Sequence, residues 1–261
     1  MIDINTLLQN AVKASADTMT QTKTPPRFCF PIDAAAAGRL LADAYRVEVE
    51  ARRRPFSQNA DTQDKITHAA RWLTDAALRP SLLLYGPTPG TGKTTLARAI
   101  LRAARQLKTA YGSGSGEGLE MARRQYYADT GKLLPDAWVA EFERKREAVI
   151  VPHYSTARDL AAAATDADAE QRRRYDYATR CPFLIIDDLG TEPVEVNNYG
   201  TRVTPLLDLL YTRYDAMKPT IITTNFGEKQ LIKYYEARLY DRLREMCEML
   251  YYNSEQSYRG L

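Results

Sequence analysis

Short, mostly apolar runs alternate along the chain with longer stretches in which apolar residues recur every three or four positions. The short runs lie at residues 82–85, 149–151, 183–186 and 220–224. Runs of this length are typical of strands buried in a parallel sheet, whereas the longer periodic stretches predict amphipathic helices. The pattern therefore predicts an α/β fold in which a parallel sheet lies between two layers of helices.

The first part of the chain predicts a small helical region behind a polar leader. The leader is rich in Thr, Gln, Ala and Ser, and within it residues 5–14 favour a short helix. A longer amphipathic helix is expected over residues 33–53, because Pro55 breaks the pattern after it. The next helix is expected to begin with Asp61 as its N-cap.

The pattern divides the chain into a partner-binding region, residues 1–78, and a larger α/β domain, residues 79–261. A charged helical insertion is expected within that domain at about residues 112–147. It begins with a flexible glycine- and serine-rich connection, residues 112–118, and its helical pattern is interrupted near residues 131–135. Further helices are expected at residues 156–164, 166–180 and 203–214.

Composition and charge exclude several classes of protein. The 261 residues are 44% hydrophobic and carry a net charge of +3, which is too mild to argue for a nucleic-acid partner by itself. The positive charge is clustered, however, and the clusters strengthen the argument for a nucleic-acid partner. They lie at residues 52–54, 123–124, 144–146 and 172–174. The scattered cysteines exclude a disulfide framework and a zinc site. With neither a signal-peptide core nor a run of eighteen apolar residues, we expect a cytoplasmic protein without a membrane partner.

The strongest chemical signal is the glycine-rich stretch between the first predicted strand and a helix. Such a loop holds a polyphosphate on its backbone amides, while its lysine reaches the β and γ phosphates. Gly86 lies one position further out than the first glycine of the usual pattern, so we expect Gly86 to make the turn and residues 87–89 to form a stiff bulge. The hydroxyl of Thr94 is a candidate ligand of Mg²⁺. The predicted nucleotide-binding residues are Gly86, Gly90, Thr91, Gly92, Lys93, Thr94 and Thr95.

Polar residues end two of the other predicted strands. Asp187 and Asp188 follow one strand, as in the second half of a nucleotide-hydrolysis site. Asp187 is expected to hold Mg²⁺ directly or through water, and Asp188 to orient or deprotonate the attacking water. Asn225 follows another strand, and its amide could bind the γ-phosphate or that water at the shared edge of the sheet. Taken alone, Asn225 is better explained as a turn-forming residue.

Two arginines near the end of the chain share one face of a predicted helix. Arg238 and Arg242 are four positions apart, so both guanidiniums could reach a phosphate across a subunit boundary. A surface held by salt bridges explains the same spacing, since carboxylates are within reach at Glu236, Asp241 and Glu245. Arg259 is a third candidate.

Four stretches, taken in order, resemble the helicase-loader and IstB family of AAA+ ATPases (DnaC/IstB-like). They are GTGKTT at 90–95, LIIDDLG at 184–190, PTIITTN at 219–225, and ARLYDRLREM at 237–246 with a closing SYR. The resemblance implies a P-loop NTPase fold and hydrolysis of ATP with Mg²⁺. It implies catalytic roles for Lys93, Asp187, Asp188, Asn225 as sensor and Arg242 as arginine finger, with Arg238 one turn earlier and Arg259 as second sensor.

The same resemblance implies partners. Members of the family load a replicative DNA helicase onto single-stranded DNA or assist a transposase, and they act as homo-oligomers through arginine-finger contacts. Residues 159–180 occupy the place of a helical element that lines a DNA-binding surface. The motifs leave the transposase helper open, and a small-molecule P-loop kinase and a DNA-binding module switched by ATP are further alternatives. The N-terminal segment has no motif that matches the family, and the charged stretch at residues 119–147 is longer than the family's usual connection.

Overall fold

The computed structural model describes residues 27–56, 59–111, 117–198 and 201–253. The short helix expected at residues 5–14 and the candidate Arg259 lie outside the described residues, as does most of the expected glycine- and serine-rich connection.

Helices and strands alternate through most of the described chain. The helices are α1 (Ala34–Glu50), α2 (Ala60–Thr74), α3 (Lys93–Ala110), α4 (Glu117–Thr130), α5 (Asp136–Ala148), α6 (Ala157–Thr165), α7 (Ala169–Arg180), α8 (Pro205–Asp215), α9 (Glu228–Tyr234) and α10 (Ala237–Met246). The strands are β1 (Ser81–Tyr85), β2 (His153–Thr156), β3 (Leu184–Leu189), β4 (Val196–Asn198), β5 (Thr201–Val203), β6 (Thr220–Thr224) and β7 (Cys247–Tyr251). Most helix ends lie within a few residues of those predicted.

A parallel sheet organises the fold, with its strands in the order β2-β3-β6-β1-β7. Leu83 of β1 lies opposite Ile222 of β6, and Ile186 of β3 lies opposite the same residue. Because neighbouring strands run parallel, the carboxyl ends of β1, β3 and β6 meet at one edge of the sheet. β4 and β5 pair separately as an antiparallel hairpin.

Alternate residues of the central strand β1 enter two buried clusters on opposite faces of the sheet. Leu82 and Leu84 pack with residues of α1, α2 and α3, whereas Leu83 packs with residues of α6, α8 and α10. All three side chains are fully buried, which is worth roughly 1.5–3 kcal/mol each. The predicted α/β fold with a parallel sheet between two helical layers is confirmed, and β1, the glycine-rich loop and α3 form one strand–loop–helix unit.

The first two helices pack on the same face of the sheet as α3, the helix that follows the glycine-rich loop. Leu41 of α1 and Leu73 of α2 are fully buried in the same cluster as α3. The expected cap of α2 is wrong: Asn59, two residues earlier than Asp61, accepts the amide of Thr62 at 2.8 Å. Asp61 lies in the first turn instead, where its charge favours the positive end of the helix. The boundary at residue 78 stays a prediction.

The strand predicted at residues 149–151 is also wrong. Val149 ends α5, where its amide donates to the carbonyl of Lys145 at 3.2 Å, and its side chain is buried in the core. The strand that pairs with β3 is the next, more polar segment, His153–Thr156, at the edge of the sheet. A short apolar run signals burial, and here the burial comes from packing rather than from strand pairing.

The charged insertion forms two helices, α4 and α5, with the predicted break between them. Helix α4 begins at Glu117, so the connection before it is shorter than expected. Ala122 and Phe142 attach the insertion to the core, whereas Tyr127 and Leu133 are exposed. Within the described ranges, no helix combines the length and the apolar character needed to cross a membrane.

Candidate active site

Glycines shape the loop between β1 and α3. Gly86, Gly90 and Gly92 have φ values of 148°, 79° and 100°, which glycine adopts without a steric penalty. A Cβ at Gly86 would collide with the carbonyl oxygen of Tyr252, and one at Gly92 would collide with the hydroxyl of Tyr45. Gly86 turns the chain out of β1, and both positions require glycine because other parts of the protein approach the backbone there.

The side chain of Lys93 is buried against this loop. Its Nζ donates to the carbonyl oxygens of Gly86 and Thr88 at 3.0 and 2.9 Å and to the Thr91 hydroxyl at 3.3 Å. Since Lys93 is also the first residue of α3, its ammonium group lies beside the positive end of that helix dipole. The loop therefore gathers a cation, a helix N-terminus and glycine backbone in one place, which together suit a polyphosphate.

Asp187, in the second half of β3, joins this loop to the sheet. Its carboxylate is 2% exposed and accepts the hydroxyls of Thr94 at 2.9 Å and Thr223 at 2.6 Å on one oxygen. The hydroxyl of Tyr154 donates to the other oxygen. The tertiary structure thus brings together Thr94 and Asp187, which the sequence analysis selected from stretches more than ninety positions apart.

Tyr154 and its neighbour Arg98 are site residues that the sequence analysis missed. Arg98 of α3 donates to the Tyr154 hydroxyl at 3.0 Å through Nη2. Burial, followed by the hydrogen bond to Asp187, raises the pKa of Tyr154 to about 12, so the hydroxyl stays a proton donor at neutral pH. Tyr154 lies on β2, the strand that was predicted a few residues too early, and so no sequence signal marked it.

Asp188 and Asn225 lie at the same edge of the sheet. Asp188 has the left-handed φ of 57°, and its amide donates to the hydroxyl of Thr223 at 2.9 Å. Asn225 comes directly after β6 and is half-buried. Asp188 lies within the last residues of β3, whereas Asn225 follows the neighbouring strand β6, so both are at the carboxyl edge that the sequence predicted.

A cavity of about 190 Å³ opens beside the loop. Its walls come from the end of α1, the start of α2 and the loop itself: Tyr45, Val49, Arg52, Arg54, Pro55, Phe56, Asn59, Thr62, Gly90, Gly92 and Thr95. Arg52 donates to the Thr95 hydroxyl at 3.3 Å. The cavity has apolar and aromatic walls with polar groups at its rim, which is typical of a small-molecule site. The helix at residues 33–53 was expected only as part of the partner-binding region, so this wall of the cavity was not predicted.

The tail arginines lie apart from the hydrogen bonds around Lys93 and Asp187. The guanidinium of Arg242 stacks 4.2 Å from the ring of Tyr211 and 4.9 Å from that of Tyr214, and Arg238 lies 5.8 Å from Tyr211. In the part of the chain that the structure describes, neither arginine forms an ion pair. Glu236 instead accepts the hydroxyl of Tyr211. The alternative of a salt-bridged surface is therefore wrong, and stacking on tyrosines holds the arginines.

The donor atoms at the site fit Mg²⁺. Thr94 and Asp187 supply a hydroxyl and a carboxylate oxygen 2.9 Å apart, and oxygen ligands are those that Mg²⁺ prefers. Among the described residues, no group of three or more His, Cys, Asp or Glu side chains could hold a metal. A site with few protein ligands suits an ion that keeps several waters and binds substrate phosphates.

Comparisons with known proteins find similarity only at the level of solved structures. No protein-family model matches the sequence, and no curated protein matches it. The chain is similar to the crystal structure of the DnaC helicase loader, with 19% identity, a TM-score of 0.47, and coverage of 76% of this chain and 93% of that chain. The chain is also similar to the crystal structure of DnaI, with 19% identity and a TM-score of 0.47. That match covers 80% of this chain and 93% of the DnaI chain.

Proposed function

We propose that this chain is a cytoplasmic AAA+ ATPase of the helicase-loader type, which binds ATP with Mg²⁺ and single-stranded DNA and acts on a replicative helicase. The observation that carries the ATPase part is the hydrogen bond between Thr94 and Asp187 at 2.9 Å, beside the buried ammonium of Lys93. It joins the phosphate loop to the acidic strand end. The helicase-loader part is supported by the order of the four sequence motifs.

The residues that would bind ATP have separate tasks. The backbone of residues 90–95 and the N-terminus of α3 would hold the phosphates, and Lys93 would exchange its carbonyl partners for the β and γ phosphates. The cavity lined by Tyr45 and Phe56 adjoins Thr95, and its aromatic walls suit the face of a purine ring. Arg52 at the rim would contribute positive charge beside the phosphates.

The residues at the sheet edge would carry hydrolysis. Thr94 and Asp187 would hold Mg²⁺, which would supply positive charge to neutralise the charge that develops on the phosphates. Asp188 would orient the attacking water and accept its proton on a carboxylate oxygen. Asn225 would donate its amide to the γ-phosphate or to that water. Tyr154 and Thr223 would keep the carboxylate of Asp187 in one orientation through their hydroxyls.

Arg242 would complete the site of a neighbouring subunit. Support comes from its place on α10, where its guanidinium lies over the rings of Tyr211 and Tyr214, apart from the contacts described around Asp187. Arg238, one turn earlier, is exposed on the same side and would assist it. Arg259 as the second sensor stays a prediction.

The shared site predicts complementation between two inactive variants. Arg242→Ala and Lys93→Ala proteins should each lose turnover, because an arginine finger is worth about 10³ to 10⁵ in rate. Mixing them should restore activity, since an Arg242→Ala subunit keeps its loop and a Lys93→Ala neighbour supplies the arginine. ATP turnover of the mixture measures the recovery. Arg244→Ala, on the same helix, is the matched control and should keep parental turnover. No recovery on mixing would contradict an arginine supplied between subunits.

The helicase-loader assignment predicts stimulation by DNA and by the partner. Turnover by the isolated protein should be slow, and adding single-stranded DNA with the replicative helicase of the same host should raise it at least about tenfold, since completing the site supplies the arginine contacts. The exposed arginines 172–174 on α7 are the expected DNA contacts. Steady-state turnover with each component alone and together tests this.

Three other outcomes would redirect the assignment. Stimulation by a transposase in place of the helicase would select the IstB-like helper. Phosphorylation of a small molecule without any effect of DNA would select a P-loop kinase. Nucleotide-dependent DNA binding without hydrolysis would select a switch.

A further inference from the structure

A buried carboxylate outside the sites described above lies just after β3. Glu192 is 1% exposed, and burial raises the pKa of its side chain. One oxygen accepts the hydroxyl of Tyr235, and the other accepts the amide of Gly190 at 3.0 Å. A carboxyl group is costly to bury unless its oxygens are hydrogen-bonded. These two donors therefore fix where Glu192 lies.

Gly190, which donates its amide, belongs to a tight turn that contains Asp188. Asp188 and Gly190 have left-handed φ values of 57° and 98°. Thr191 closes the turn, because its amide and its hydroxyl donate to the carbonyl of Asp188 at 3.2 and 2.9 Å. A Cβ at Gly190 would collide with the ring of Phe226. A left-handed aspartate is uncommon and needs surrounding contacts to hold it, and Glu192 provides one of them through Gly190.

Tyr235, which donates its hydroxyl, belongs to the segment between α9 and α10. Tyr235 is buried, and its neighbour Tyr234 donates its hydroxyl to the backbone carbonyl of Glu192. The next residue, Glu236, accepts a hydrogen bond from the hydroxyl of Tyr211. The guanidinium of Arg242 lies over the ring of the same tyrosine. A continuous series of direct contacts thus runs from the Asp188 turn through Glu192 and Tyr235 to the arginine helix.

We propose that Glu192 is a positioning residue that holds the Asp188 turn in place and ties it to the helix that carries Arg242. The proposal rests on the roles proposed above for Asp188 and Arg242. The hydrogen bond between Glu192 and Tyr235 is the joint between the two parts: it keeps the carboxylate of Asp188 aimed at the water while α10 presents its arginines to the neighbouring subunit.

Three substitutions test the joint. Glu192→Met keeps the length of the side chain but accepts no hydrogen bond, and it should lower kcat about 100-fold, the cost of a small misplacement of a catalytic group. KM for ATP should change little, because Lys93 and the loop are untouched. Glu192→Gln should recover most of the activity, since its amide can accept from Gly190 and donate to the oxygen of Tyr235. Tyr235→Phe, which removes only the hydroxyl, should lower kcat about tenfold.

The matched control is Glu195→Gln, an exposed change shortly after Glu192, which should leave kcat at the parental value. The Glu192→Met/Tyr235→Phe pair should be no worse than Glu192→Met alone, because both remove the same joint. Equal losses for the Met and Gln variants, additive losses in the pair, or kcat within threefold of the parent would each overturn the proposal. If Glu192→Met does not fold, Tyr235→Phe decides the question alone.

Amide hydrogen exchange separates this proposal from the assignment of ATP hydrolysis. In the protein without nucleotide, Tyr235→Phe should speed exchange in peptides covering residues 187–192 and 237–246 and leave residues 81–85 unchanged. A parent protein that does not hydrolyse ATP would overturn the proposed function, and the exchange result would still decide whether the joint exists. Unchanged exchange in both peptides would overturn the proposal that the hydrogen bond between Glu192 and Tyr235 ties the Asp188 turn to α10.

Discussion

Replacing Lys93 with alanine is expected to abolish measurable ATP turnover, with a loss of about 10² to 10³ or more in kcat/KM. Lys93 places the buried ammonium group in the loop, and its hydrogen bonds to Gly86 and Thr88 hold it where a phosphate would lie. The alanine variant should also bind a fluorescent ATP analogue weakly. Turnover and equilibrium binding measure the two losses.

A second lysine provides the control for this experiment. Lys65 and Lys93 contact the same ring, that of Tyr252, with their Nζ atoms 5.3 and 5.7 Å from its centre. Lys65 donates to the carbonyl of Tyr251 and lies outside the loop. Lys65→Ala removes a comparable charge and cation–π contact and should keep nucleotide binding and turnover. Near-parental turnover in Lys93→Ala would overturn the assignment of the loop.

Replacing Arg213 with methionine is expected to destabilise the protein by about 3–5 kcal/mol, because charged hydrogen bonds lost inside a protein leave buried acceptors unpaired. Arg213 is 0% exposed. Its guanidinium donates to the carbonyl of Cys181 at 2.9 Å, to that of Pro219 at 2.7 Å and to the hydroxyl of Thr220 at 2.8 Å. It also caps the end of α7 through Ala178 at 3.0 Å. The free energy of unfolding in urea measures the loss.

An exposed arginine provides the matched control. The side chain of Arg202 is 82% exposed and lies 3.4 Å from Glu195, so Arg202→Met should change the free energy of unfolding by less than about 1 kcal/mol. Arg213→Lys keeps the charge but not the planar set of donors, and we expect an intermediate loss. A change below about 1 kcal/mol for Arg213→Met would mean that the carbonyls find other donors.

Much of the fold and of the candidate site follows from local patterns in the sequence. The central strands and the helix after the glycine-rich loop were predicted, because their burial follows from spacing that a few neighbouring residues determine. To predict that Lys93, Thr94 and Asp187 form one site, one further argument was needed. It is that the carboxyl ends of neighbouring parallel strands meet at one edge of the sheet. The contact between Thr94 and Asp187 agrees with it.

The errors have a common cause. An apolar run such as residues 149–151 signals burial, but it does not say whether a strand or a packed helix end buries it. The spacing of Arg238 and Arg242 signals a shared face, but it does not distinguish carboxylate partners from the tyrosines that hold them. In both cases a partner distant in sequence decided the outcome.

The sequence by itself determined the α/β class, the glycine-rich loop and the acidic end of β3, because each depends on residues that lie close together in the chain. Only the tertiary structure decided what surrounds them. Tyr154 is hydrogen-bonded to Asp187, and Glu192 to Tyr235. The hydroxyl of Tyr45 lies close to the backbone of Gly92. Each of these contacts joins separate elements, and its existence depends on strand order, register and helix packing, which no local pattern specifies.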